Sequence, residues 1–107
     1  MSAGPYSIGS DTWPGLAKAA EEAGELIQVI GKIIAAGGAN EHWDGSDLRI
    51  RLADEVADLY AALDFLAAQN GLQDAFTHER RGHKLALFTD WHSHNRDGSL
   101  NRDAASR

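Results

Sequence analysis

From Leu16, apolar residues recur three and four apart through Ala20, Ala23, Ile27, Ile30 and Ile34. That period, close to 3.6, predicts an amphipathic helix. Asp11 or Thr12 is placed to cap its start, Pro14 fits a first turn, and Gly37-Gly38 supplies the stop. The polar, glycine-rich stretch GGANEHWDGSD reads as a loop, after which Ser46 or Asp47 can cap a second helix. The apolar set of that helix is Leu48, Leu52, Val56, Leu59, Leu63 and Leu66, and Asn70-Gly71 ends it. Leu72, Phe76, Leu85, Leu87 and Phe88 predict a third helix over residues 72–90, interrupted at Gly82. The tail SHNRDGSLNRDAASR carries one large apolar residue, Leu100, too little to offset the entropy of ordering, so disorder is expected over 93–107. Residues 1–11 read as an N-terminal arm and 12–92 as the domain.

No segment alternates with period two, so the fold class expected is all-α. A chain of 107 residues buries only a modest core. Three amphipathic helices of unequal length close poorly on themselves, and a second copy is the simplest cover for the remaining stripe. The expectation is a four-helix-bundle-like core shared across a homodimer or a dimer of dimers.

Composition narrows the partners. With no cysteine the chain has neither a disulfide nor a thiolate metal site, which suits a reducing, cytoplasmic location. The opening MSAGPYSIGSD has no basic or apolar leader region, and no apolar run approaches the ~18 residues of a membrane span. Sixteen acidic against ten basic side chains, a formal charge of -6, argue against a nucleic-acid polymer as partner. An anionic ligand would need cations as mediators.

The acids are not evenly spread. Glu22 and Glu25 stand three apart in the first helix, and Glu55 and Asp58 three apart in the second. At about 100° per residue, Glu22 falls about 40° from Leu26 and Glu55 about 40° from Leu59, so both pairs flank apolar stripes. One such pair is ordinarily a solvated surface feature. Two at matching positions converge if the helices pack antiparallel, and convergence calls for a counterion. Mg²⁺ prefers oxygen ligands, keeps several waters and is commonly held by carboxylates together with substrate phosphates.

These motifs, EEAGEL and DEVADL, resemble those of the MazG-like, all-α nucleoside triphosphate pyrophosphatases, over roughly Trp13 to Phe88. Relatives in that family include dimeric dUTPases, dCTPases and phosphoribosyl-ATP pyrophosphohydrolases. The resemblance implies Mg²⁺-dependent cleavage of a nucleoside triphosphate to the monophosphate and pyrophosphate, with Mn²⁺ as a substitute ion. It implies Glu22, Glu25, Glu55 and Asp58 as metal ligands. Glu21, Glu22 and Glu25 become the catalytic group, Glu21 orienting a ligand or the attacking water. Attack at the α and at the β phosphorus gives the same products, and both stay open.

For the triphosphate itself, Arg81 and Lys84 in THERRGHKL are the expected phosphate contacts, with Arg80 as substitute. Lys18, one turn before Glu22, is either its surface ion-pair partner or a phosphate contact. Trp13 and Trp43 are candidate stacking surfaces for the base, while Trp91 is expected to pack the end of the third helix. Close approach of a helix or ligand would explain Gly24 and Gly31 inside the first helix. Asp90, His92 and His94 in DWHSHN allow a transition-metal site, but ferritin-like di-iron chemistry lacks its Glu-x-x-His pairs. The alternative function is a non-catalytic helical dimer, acting as a nucleotide-binding or protein-interaction module.

Overall fold

The computed structural model describes residues 4–41 and 44–97, and every structural statement below concerns those residues. It contains three helices, α1 (Leu16–Ala35), α2 (Leu48–Asn70) and α3 (Glu79–Asp97), and a 3₁₀ turn, Gln73–Phe76. There is no strand, only an isolated bridge between Glu41 and Asp47. The all-α class is as the periodicity indicates. Two compact units divide the chain, Met1–Leu72 and Gln73–Arg107.

The start of α1 differs from the expectation. Neither Asp11 nor Thr12 caps it, and Pro14 precedes the helix; the residue before Leu16 is Gly15, left-handed at φ 89° and with no side-chain cap. Backbone of the arm supplies the acceptors instead. Ala17 N donates to Tyr6 O at 2.9 Å, Leu16 N to Trp13 O at 3.2 Å and Gly15 N to Ser7 O at 3.3 Å. The orphan amides of a helix start need some acceptor, and a folded arm serves as well as a capping side chain. The stop is as expected, with Gly37 and Gly38 at φ 69° and 85°.

Asp47 caps α2 as expected, accepting from Arg49 N at 2.9 Å and Ile50 N at 3.1 Å. Gly71, left-handed at φ 70°, ends it. The two helices run antiparallel: Gly15 lies against Phe65 and Leu66, Asn70 Nδ2 donates to Pro14 O at 3.0 Å, and ten residues further along α1 Glu25 reaches Glu55.

On α1 the packed face is not the apolar stripe first counted, whereas on α2 four of the six counted residues, Leu48, Leu52, Leu59 and Leu66, are buried or half-buried. Ala19 and Val29 are the buried residues of α1, while Ala20, Ile27, Ile30 and Ile34 are exposed, Ile34 by 73%. In α2, Leu48, Ala62 and Ala67 are buried, but Val56 and Leu63 are exposed. The inward residues are Ala19, Glu22, Leu26, Val29 and Ile33 facing Leu48, Leu52, Glu55, Leu59, Ala62 and Leu66, all of them buried or half-buried. Both sets alternate three and four, the seam spacing of paired helices. Small residues at one end let the backbones approach, so each helix is rotated until an acid occupies its seam. Gly24 and Gly31 also depart from expectation, because a Cβ at either position meets nothing within 4 Å.

In the second unit the predicted 72–90 helix is replaced by the 3₁₀ turn and by α3, which begins later and runs through Gly82 to Asp97. The strong helix formers around Gly82 outweigh its cost of about 1 kcal/mol. The His78 ring accepts from Arg80 N at 3.0 Å at the start of α3, and Phe88 and Trp91 pack at 5.5 Å between ring centroids. Residues 93–97 are helical rather than disordered, held in part by His94 Nδ1, 3.1 Å from Asp90 Oδ1. Residues 1–3, 42–43 and 98–107 lie outside the described residues, and with them Trp43 and the rest of the expected tail.

Candidate metal centre

The seam brings three carboxylates together. Glu22 and Glu25 from α1 and Glu55 from α2 each offer an oxygen, and these atoms lie within 4.8 Å of one another. All three residues are half-buried. Glu22 Oε2 and Glu55 Oε2 are shielded from solvent and have no hydrogen-bond partner. Two buried, unpartnered carboxylate oxygens are an unfavourable arrangement unless a proton or a cation sits between them.

Electrostatics point the same way. The Glu22 carboxyl is pushed above the usual glutamate range, first by loss of solvent, then by the charges of Glu25 and Asp58, and Lys18 opposes the rise. Glu55 is raised as well, again first by loss of solvent and then by Glu25 and Asp58. The folded chain therefore holds a site that favours protons when no other cation is supplied. Asp58, expected as the fourth ligand, is exposed and lines a groove with Glu22, outside the group of three whose oxygens lie within 4.8 Å of one another.

Lys18 does not pair with Glu22. Its Nζ lies 2.9 Å from Glu21 Oε2, one turn on along the outer flank of α1. This hydrogen bond, followed by the charges of Glu21, Glu22 and Glu25, raises the Lys18 pKa. Lys18, Glu22 and Asp58 line a groove of about 380 Å³ together with Ile8, Ala61, Ala62 and Phe65. Trp13, half exposed just before α1 at φ 45°, is not among the residues lining it.

Arg81 and Lys84 do come together, on α3 in the second unit. With His78, Arg80 and Ala75 they line a recess of about 410 Å³. Asp90 and His94 pair within α3 instead of joining a metal cluster. Among the described residues, Glu22, Glu25 and Glu55 form the group with metal-ligand geometry.

Sequence reasoning located the acids but missed Ile8, Ala61, Ala62 and Phe65. A signal was available in Gly15: a glycine just before a helix, followed by no side-chain cap, marks a close approach, here of Phe65. The chemistry open to this arrangement is that of hard-cation binding by carboxylates beside a concave, partly apolar surface. No family model, no curated protein and no solved structure matches the chain.

Proposed function

We propose that the chain is a Mg²⁺-dependent nucleoside triphosphate pyrophosphohydrolase of the MazG-like kind, cleaving an NTP or dNTP to the monophosphate and pyrophosphate. The observation that carries this reading is the meeting of Glu22, Glu25 and Glu55 from two helices within 4.8 Å, with two of their oxygens unpartnered. The donor set is all oxygen and all anionic, which fits Mg²⁺ or Mn²⁺ and not a soft metal. Asp58, which lines a groove with Glu22, is the proposed fourth ligand.

Bound Mg²⁺ supplies charge neutralisation of the triphosphate and acidification of a water. The remaining work falls to the chain. Glu22 or Glu25 accepts the proton of the attacking water, the general-base role open to a carboxylate placed beside it. The Lys18 ammonium, held by Glu21, faces the groove as a phosphate contact, so Glu21 acts by positioning Lys18. On the second unit, taken by itself, Arg81, Lys84 and Arg80 line a cationic recess of a kind suited to an anion.

A homodimer belongs to the same proposal. Two helices bury one face each, and here Ile27, Ile30 and Ile34 on α1 and Val56 and Tyr60 on α2 are left to solvent. A second copy would cover them and complete a four-helix core. Pyrophosphate release from a panel of NTPs and dNTPs, with Mg²⁺ or Mn²⁺, tests the activity. Glu22→Gln and Asp58→Asn should each abolish turnover while helicity is kept, and turnover retained in both variants rejects the site.

A further inference from the structure

The second unit carries a concavity of its own. Ala75 of the 3₁₀ turn and His78, Arg80, Arg81 and Lys84 around the start of α3 line a recess of about 410 Å³. Its lining holds three permanent cations and no carboxylate, so it repels a metal ion and attracts an anion. We propose that this recess is a metal-independent site for a phosphoryl oxyanion, gripped by Arg80, Arg81 and Lys84. The site needs neither the carboxylate cluster nor the hydrolase reading.

Charge is segregated around α3. At about 100° per residue, Lys84 falls about 60° from Arg81 and Arg80 about 40° further round, so the three cations share one sector of roughly 100°. The acids of the helix, Glu79, Asp90 and Asp97, all fall at least about 120° from Lys84, in the middle of that sector. Among the described residues, Arg80, Arg81 and Lys84 form no ion pair. Like charges crowded on one helix sector are unfavourable, and a bound anion relieves them.

The geometry selects the kind of anion. A guanidinium is a planar fork that meets two oxygens of a tetrahedral oxyanion, and an ammonium one turn away adds a point charge. Two forks and an ammonium match a group with two or more charges, whereas a flat, singly charged carboxylate occupies one fork. Ala75 brings only a methyl group, which leaves the concavity open. Backbone at this helix start is already engaged, since Arg80 N donates to His78 Nδ1 at 3.0 Å and Arg81 N to the His78 carbonyl at 3.0 Å. Recognition therefore falls to side chains. An accepting Nδ1 keeps the His78 proton on Nε2, which adds a neutral donor to the lining. The formal charge of -6 on the whole chain repels an extended polyanion, so the ligand is compact.

The test titrates the full chain, with chelator and at low salt, with orthophosphate, pyrophosphate, adenosine monophosphate and acetate, followed by calorimetry and by amide chemical shifts. At least one phosphoryl anion should bind tenfold more tightly than acetate, with the shifts centred on residues 75–85. Ala75→Glu should weaken that binding at least tenfold. Ala86→Glu, the same change of charge at an exposed position of α3 outside the lining, should weaken it less than threefold. Arg81→Gln with Lys84→Gln should abolish it at unchanged circular dichroism, and Glu22→Gln should leave it within twofold. Binding of the two inorganic anions alone identifies a free anion as the ligand, and binding of all three identifies the phosphoryl group however carried; either upholds the site. No preference over acetate, equal losses in the two glutamate variants, or shifts centred elsewhere overturns it.

Discussion

Replacing Gly15 by alanine tests the contact that sets the register of α1 on α2. Gly15 has φ 89°, and a Cβ there would stand 2.7 Å from Phe65 Cδ1, 3.0 Å from Cε1 and 3.7 Å from the Leu66 Cα. The left-handed conformation costs an L-residue roughly 1–2 kcal/mol. Forcing a methyl into contact with a half-buried ring adds about 1–3 kcal/mol, toward the lower end because the ring can swing into the groove. The sum is about 2–4 kcal/mol, which for a domain of this size lowers the melting midpoint by roughly 10–25 °C. Urea denaturation followed by far-ultraviolet circular dichroism should show a lower midpoint at unchanged slope. Gly31→Ala is the matched control: its new methyl meets nothing within 4 Å, and it should gain about 1 kcal/mol. In a Gly15→Ala, Phe65→Ala double variant the clash vanishes, so the two changes should be less destabilising together than their sum. A Gly15→Ala loss below about 0.5 kcal/mol would mean that Phe65 does not rest on this glycine. The antiparallel register that carries Glu22 and Glu25 to Glu55 would then be wrong.

Metal-free protein should lose stability as pH rises above the ordinary glutamate range, because folded Glu22 and Glu55 hold protons more tightly than the unfolded chain does. Their contribution is complete below the unfolded pKa and disappears as pH passes the raised folded values. Melting curves from about pH 4 to pH 8 read it, and a midpoint that climbs across that window would contradict it. Mg²⁺ at a hundred times its dissociation constant should stabilise the neutral-pH protein by about 2.7 kcal/mol, and Glu55→Gln should remove most of that gain. Glu22→Gln, by removing one of the crowded charges, should raise the metal-free midpoint at neutral pH; a lowered midpoint would show that the charge is already neutralised. Sedimentation should find a dimer at micromolar concentration, and Ile30→Glu with Tyr60→Glu should shift it to monomer, whereas an unchanged mass would place the interface elsewhere.

The acids of the site were legible because charge spacing is a property of the chain: Glu22, Glu25 and Glu55 announce one helix face each. The apolar part of the groove lining was not, because it consists of Ile8, Phe65 and two alanines, side chains with no chemical signature. The arm was also opaque. Its role at the start of α1 is played by carbonyls of Tyr6, Ser7 and Trp13, and every residue has a carbonyl.

Local sequence determined the helices, the stops at Gly37-Gly38 and Gly71, and the cap at Asp47, since propensity, glycine geometry and capping act within a turn or two. It also set the acid pairs three apart at matching positions of the two helices. Tertiary structure decided the rotation of each helix about its own axis. α1 carries two apolar rows with nearly the same period, so periodicity alone leaves its inward face degenerate, while α2 keeps Leu48, Leu52, Leu59 and Leu66 inward and turns Val56 and Leu63 out. The choice fell to the rows with Ala19 and Ala62, whose small side chains allow close approach, and that choice put Glu22 and Glu55 inside the seam while leaving Ile27, Ile34 and Tyr60 facing water.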